Sequence, residues 1–201
     1  MGQNQADRDS AGLRHDMQVF ESIESAADAV AEFLLEGFAH GETLLVAMRL
    51  AHWNLVSARL MSTPMVDITR AIGSGQLTVL DSNRALGRIM WNGMPSQALF
   101  GEVIGKLVAQ LASRGDRVRV YGDMVDILAG EGNFPAAQEL ERFWNLLVLS
   151  QSVTLFCGYS AAHFDIGGSA AHELIARAHS HVRAHVLPAP SARRRDWQSP
   201  V

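Results

Sequence analysis

Five of the eight histidines crowd the last part of the chain: His163, His172, His179, His181 and His185. His181 and His185 stand i, i+4, a spacing that could chelate a metal from one helix face. No H-E-x-x-H accompanies them, and Cys157 is the only cysteine, with no second thiol beside it. The expectation is therefore partly exposed helix histidines and no metal site. Cys157, at a strand end, is read as a small buried hydrophobe rather than a reactive thiol. No G-x-S-x-G elbow presents a serine nucleophile. Phosphate chemistry is also missing, because neither G-x-x-x-x-G-K-[ST] nor a G-x-G-x-x-G after a strand occurs. Where such a loop would lie, the chain reads Phe20-Glu21-Ser22-Ile23-Glu24-Ser25. Two carboxylates there repel a triphosphate. Gly73-Ser74-Gly75 and Gly167-Gly168 read as turns. No catalytic residue and no cofactor is expected.

The remaining chemistry is that of a grip. In Arg117-Val118-Arg119-Val120-Tyr121, alternation places the two arginines and Tyr121 on one face and the valines on the other. A buried Arg119 needs a carboxylate, with Glu141 or Asp81 as candidates. That pairing is either structural or a ligand anchor. Met90, Trp91, Met94 and Met124 are large soft side chains that could line an apolar pocket.

These groups must be held by regular elements. Short apolar runs at 17–20, 43–48, 77–80, 117–121 and 153–157 mostly lack polar alternation, the pattern of strands covered on both faces in a parallel sheet. His15 then falls just ahead of the first strand. Between the runs lie helical stripes. Ile23, Ala26, Ala27, Val30, Phe33, Leu34 and Gly37 form one; Phe100, Val103, Ile104, Leu107, Val108 and Leu111 a second; Ala137, Leu140, Trp144, Leu147 and Val148 a third. Gly41, Gly115 and Gly132 fall where helices should stop, and a last helix is expected over 169–186. Strand–helix alternation implies an α/β, three-layer α/β/α sandwich with a mostly parallel sheet. In such a sheet, ligands bind beyond the carboxyl ends of the strands.

Composition narrows the class. A net charge of −4 provides no basic field for nucleic acid. No apolar run reaches the roughly 18 residues that cross a bilayer, residues 1–10 lack a secretory h-region, and a single cysteine suits a reducing compartment. A cytoplasmic protein is expected, with polar or Pro/Arg-containing tails at 1–14 and 188–201 flanking one domain over 15–187.

Two resemblances follow. Phe33-Leu34-Leu35-Glu36-Gly37 with His40-Gly41-Glu42-Thr43-Leu44-Leu45-Val46 resembles the stretch after the phosphate loop in KaiC-type RecA-like ATPases, continued around Asp67-Ile68, Gly75-Gln76-Leu77 and the strand ending at Asp123. A fuller likeness is to the MEDS domain, the sensory domain of methanogen and methylotroph regulators. It rests on His15-Asp16-Met17-Gln18-Val19-Phe20-Glu21 and on Gly115-Asp116-Arg117-Val118-Arg119-Val120-Tyr121-Gly122-Asp123-Met124-Val125. It continues through Gly132-Asn133, Ala136-Ala137, Leu140-Glu141, Trp144-Asn145, Leu155-Phe156-Cys157-Gly158-Tyr159 and His179-Ser180-His181-Val182. Phe20 stands where that family usually has Tyr, and Asp123 where it usually has Glu. The resemblance implies a RecA/KaiC-like fold without a phosphate loop, sensing small hydrocarbon derivatives.

The expected protein is a non-catalytic small-molecule sensor that passes ligand occupancy to a signalling protein partner, with a homo-oligomer also possible. Its expected ligand-binding residues are His15, Phe20, Glu21, Arg119, Asp123, Met124, Trp144, Tyr159 and His179. Phe20, Met124 and Trp144 would supply apolar contact, and Glu21, Asp123, Tyr159 and His179 would orient the ligand. The alternatives are a ligand-free interaction module for a histidine kinase or anti-sigma-type partner, and a residual nucleotide-binding protein.

Overall fold

The computed structural model describes residues 14–64, 66–114, 117–151 and 153–183. Apart from Arg14, the two expected tails lie outside these residues, as do the helix stop at Gly115, His185 and the end of the domain at 184–187.

Six parallel strands form the main sheet: β1 (Arg14–Phe20), β2 (Thr43–Met48), β3 (Leu77–Asp81), β6 (Val118–Gly122), β7 (Val153–Ser160) and β8 (His181–Val182). Their spatial order is β3-β2-β6-β7-β1-β8. A separate antiparallel hairpin joins β4 (Met90–Trp91) to β5 (Met94–Pro95). The helices α1 (Ile23–Ala39), α2 (Leu50–Met61) and α3 (Ile68–Ser74) cover one face. The other face carries α4 (Ser82–Ile89), α5 (Gln97–Phe100), α6 (Lys106–Ala112), α7 (Met124–Gly130), α8 (Phe134–Ser150) and α9 (Ala161–Ala176). This is the three-layer sandwich that the apolar strands imply.

Strand alternation feeds both cores at once. From β2, Leu45 and Ala47 face α4–α9, while Leu44, Val46 and Met48 face α1–α3. In β7, Leu155, Cys157 and Tyr159 take the first face and Phe156 the second. Local signals set the helix ends. The Ser22 hydroxyl accepts from the Ser25 amide while the Ser25 hydroxyl accepts from the Ser22 amide, a reciprocal cap that starts α1 directly after β1. Gly41 and Gly132 adopt φ of 67° and 71° just beyond α1 and α7, in the left-handed region that glycine enters without strain.

Four expectations change. β1 begins at Arg14, so His15 lies inside the strand, paired with Leu155. The second stripe is not one regular helix: a π-helical turn over Gly101–Gly105 separates α5 from α6. The last helix runs over Ala161–Ala176 rather than 169–186, and Gly168, at φ 69°, breaks it internally. His181 then belongs to β8 rather than to a helix. Asp16, fully buried in β1, accepts from the Arg183 guanidinium at 2.9 and 3.0 Å, and Arg183 stacks 4.4 Å from the Phe156 ring centre. That part-buried ion pair, with the Ser180 and Arg183 amides donating to the His15 and Met17 carbonyls at 2.8 Å, holds the segment after α9 against the sheet edge in place of its helical period. Arg119, fourth, pairs with Glu42 and with Glu36 (2.8 Å) instead of Glu141 or Asp81. Its aliphatic stem packs where a Cβ on Gly37 would clash, at 2.9 Å from Cδ.

Candidate functional site

The chain moves outward from β2 to β3, then returns to β6 in mid-sheet and proceeds to β7. The segments after β2 and β6 therefore diverge onto opposite faces, leaving a crevice between them at the carboxyl ends. A cleft of about 300 Å³ lies across this end, extending over β7 and β1. Phe20, Glu21, Ser22 and Ala26 line it from the β1–α1 turn, Arg49 and His52 from the start of α2, and Tyr121, Tyr159, Ser160 and His163 from the remaining elements.

Its polar wall is organised by two aspartates. Asp123 Oδ2 accepts from the Arg49 backbone amide (3.2 Å) and from Arg49 Nε (2.9 Å), with His52 Nδ1 at 3.4 Å. Asp126 accepts from the Arg49 guanidinium through one oxygen. Its other oxygen accepts from the Ser160 amide and faces His163 Nδ1, both at 2.7 Å. Burial would raise the Asp123 carboxyl, yet His52, Arg49 and Ser82 together hold it below its ordinary value. Burial likewise opposes the charge on Arg49, and the two aspartates more than restore it. Two glycines make this wall possible. A Cβ at Gly158 would stand 2.3 Å from the Tyr121 hydroxyl and 3.2 Å from the Phe20 ring, and one at Gly130 would stand 2.9 Å from the His163 ring.

A second group lies beneath the cleft, inside the core. Glu141, wholly buried on α8, accepts from the Tyr159 hydroxyl at 2.5 Å and lies 3.1 Å from both His15 Nε2 and His179 Nε2. The Cys157 thiol reaches the same carboxylate at 3.6 Å and His15 Nε2 at 3.3 Å. Burial penalises the Glu141 charge, but His179 and His15 hold its carboxyl far below the usual range. Burial also lowers His179, and Glu141 reverses this so that the imidazolium is favoured. Burial first, then the Glu141 charge, pushes Cys157 and Tyr159 well above their ordinary values.

The nine expected ligand residues thus divide. Phe20, Glu21 and Tyr159 line the cleft, and Asp123 stands directly behind Arg49 and His52. His15 and His179 belong to the buried group. Met124 and Trp144 have no exposed surface and pack in the core beside α4–α9. Arg119 sits near the amino end of β6 in its ion pairs, away from the cleft. Trp91, read as an apolar lining, is 70% exposed on the hairpin. Sequence reasoning passed over Asp126, His163 and Glu141 as site residues. A carboxylate four residues after Ala137 and next to Leu140, on the apolar stripe of its helix, was the available signal for Glu141.

A family model described as "MEthanogen/methylotroph, DcmR Sensory domain" (MEDS) matches residues 14–180. The match starts at β1 and ends one residue before β8. No curated protein matches the chain.

Proposed function

The chain belongs to the MEDS family of sensory domains, and we propose that it is a non-catalytic receptor for a small, neutral, partly apolar molecule held in the carboxyl-end cleft. The observation that carries this reading is the wall itself. Arg49 is bonded through Nε to Asp123 and through one Nη to Asp126, so two carboxylates more than match its charge, and Glu21 adds a further carboxylate. Such a wall offers little to a phosphate and more to a ligand with one or two polar atoms, while Phe20, Ala26 and the tyrosine rings supply apolar contact. Hydrocarbon derivatives, halogenated or methylated, have this character. We read the architecture as RecA/KaiC-like without its phosphate loop. β1 runs through residues 20–25 straight into α1, the strand–loop–helix order of a phosphate site, but with Glu21 in place of glycine and lysine.

The signal would pass to a cytoplasmic protein partner. At about a hundred times its dissociation constant a ligand adds about 2.7 kcal/mol, roughly 5–10 °C in melting temperature for a chain of this size. A thermal-shift screen of halogenated, methylated and nucleotide compounds should find a neutral ligand whose shift vanishes in the cleft-filling variant Ala26→Trp. A shift only with Mg-ATP would favour residual nucleotide binding instead. No shift from any compound would sink the receptor reading. The exposure of Trp91 and, on the same hairpin, Met94 at 39% favours a second reading, a ligand-free docking module. Partner capture that is lost in Trp91→Ser but unchanged in Ala26→Trp would support it.

A further inference from the structure

Among the described residues, one group of side chains brings two imidazoles, a thiol and a carboxylate so close that their donor atoms all lie within 4.8 Å of one another. We propose that His15, Glu141, Cys157 and His179 form a site for a divalent transition-metal ion of the zinc class, bound through His15 Nε2, His179 Nε2, Cys157 Sγ and a Glu141 oxygen.

The spacing is that of a coordination shell. Tetrahedral zinc with bonds of about 2.0–2.1 Å to N or O and about 2.3 Å to S separates its ligands by about 3.3 Å, or about 3.5 Å where one is sulfur. Here Glu141 Oε2 stands 3.1 Å from His15 Nε2 and 3.6 Å from Cys157 Sγ, and Sγ stands 3.3 Å from His15 Nε2. His179 Nε2 is 3.1 Å from the other oxygen, Oε1, and completes a group whose donor atoms lie within 4.8 Å of one another. The four residues come from β1, α8, β7 and the turn after α9, so the shell closes only when the sandwich does.

Both rings are oriented from behind. Asn145 Nδ2 donates to the Ala178 carbonyl at 2.8 Å, which turns Asn145 Oδ1 toward His15 Nδ1 at 2.9 Å. His179 Nδ1 faces the Ile175 carbonyl at 2.8 Å. Each Nδ1 must therefore carry a proton and donate it, which directs each Nε2 at the shared centre. This is the arrangement that surrounds metal-bound histidine. The Tyr159 hydroxyl holds Glu141 Oε1 in the same supporting role.

Charge points the same way. A buried carboxylate needs a cation among its neighbours. His179 Nε2, although 3.1 Å from Glu141 Oε1, is buried without a hydrogen-bond partner. A divalent ion with one thiolate, one carboxylate and two neutral imidazoles is electrically balanced. Its binding releases the Cys157 proton, and the Nε2 proton of a His179 imidazolium, to solvent. Metal bonds replace the Cys157–Glu141 and His15–Cys157 hydrogen bonds, while those of the two Nδ1 atoms and of Tyr159 are kept.

The test uses the full chain produced with zinc and purified without chelator. Elemental analysis should find one zinc per chain, and cobalt(II) exchanged for it should give the intense visible bands of a tetrahedral site with a thiolate charge-transfer band in the near ultraviolet. Cys157→Ser should lose the charge-transfer band. Asn145→Ala, which spares all four ligands, should weaken zinc affinity by about 10–100-fold. Wild-type protein without stoichiometric metal and without the cobalt spectrum would overturn the site. So would a spectrum and affinity left unchanged by Cys157→Ser and Asn145→Ala, which would place the ion elsewhere.

Discussion

Two carboxylate–histidine groups share β7, separated by a few residues along it and by a large difference in access to water. At the rim, Asp126 holds His163 and the Ser160 amide, and Asp123 holds Arg49 and His52; the two imidazoles and the guanidinium are each about a quarter exposed. In the interior, Glu141 holds His15, His179 and Tyr159 with essentially no exposed side-chain surface. The chemistry is similar but the consequences are not. Water at the rim can screen or replace a lost partner, and a ligand can displace that water. In the core nothing can substitute, so each polar atom must be matched by protein or by a bound ion. Tyr159 touches both, with its body on the cleft and its hydroxyl on Glu141.

The difference is open to direct attack. Glu141→Leu removes the acceptor of the Tyr159 hydroxyl and Cys157 thiol and the charge partner of His15 and His179, and should cost about 3–5 kcal/mol, with Glu141→Gln costing less, as read by urea unfolding. A loss below 1 kcal/mol would mean the interior is not dry, and the contrast would fail. Gly158→Ala drives a methyl against Tyr121 and Phe20, and should cost about 1–3 kcal/mol. It should also abolish the thermal shift of any cleft ligand while leaving bound metal unchanged; loss of both together would show that the two sites are one. The smallest effect appears only in acid. Because the folded Asp123 carboxyl lies below its unfolded value of about 3.9, its contribution is complete above that pH and is lost as pH falls through the folded value. Acid titration of stability in the wild type should therefore be steeper below about pH 4 than in Asp123→Asn. Identical slopes would remove Asp123 from the rim's electrostatics.

Much of the scaffold was legible in the chain. The apolar runs located five strands to within a few residues, since a strand covered on both faces must be apolar throughout. The stripe from Ile23 to Gly37 marked α1 for the analogous reason at period 3.6. β8 was not legible, because two residues carry no periodicity and their place depends on a part-buried Asp16–Arg183 pair 167 residues apart. The site was legible in part. Residues that end strands, such as Phe20, Glu21 and Asp123, fall at the rim by the geometry of any parallel sheet. Arg119 was displaced from it because it lies near the amino end of β6, and Trp144 because its face of α8 packs into the core.

By itself the sequence determined an α/β sandwich without a phosphate loop, a rim rich in carboxylates and aromatics, and the family likeness to MEDS. These follow from local properties: period, residue type and the absence of a short motif. Only the tertiary structure decided that His15, Glu141, Cys157 and His179 meet, because their spacing of 126, 16 and 22 residues has no local signature. Four elements must pack before the donor atoms come within reach, and it is their common exclusion from water that makes the group a site.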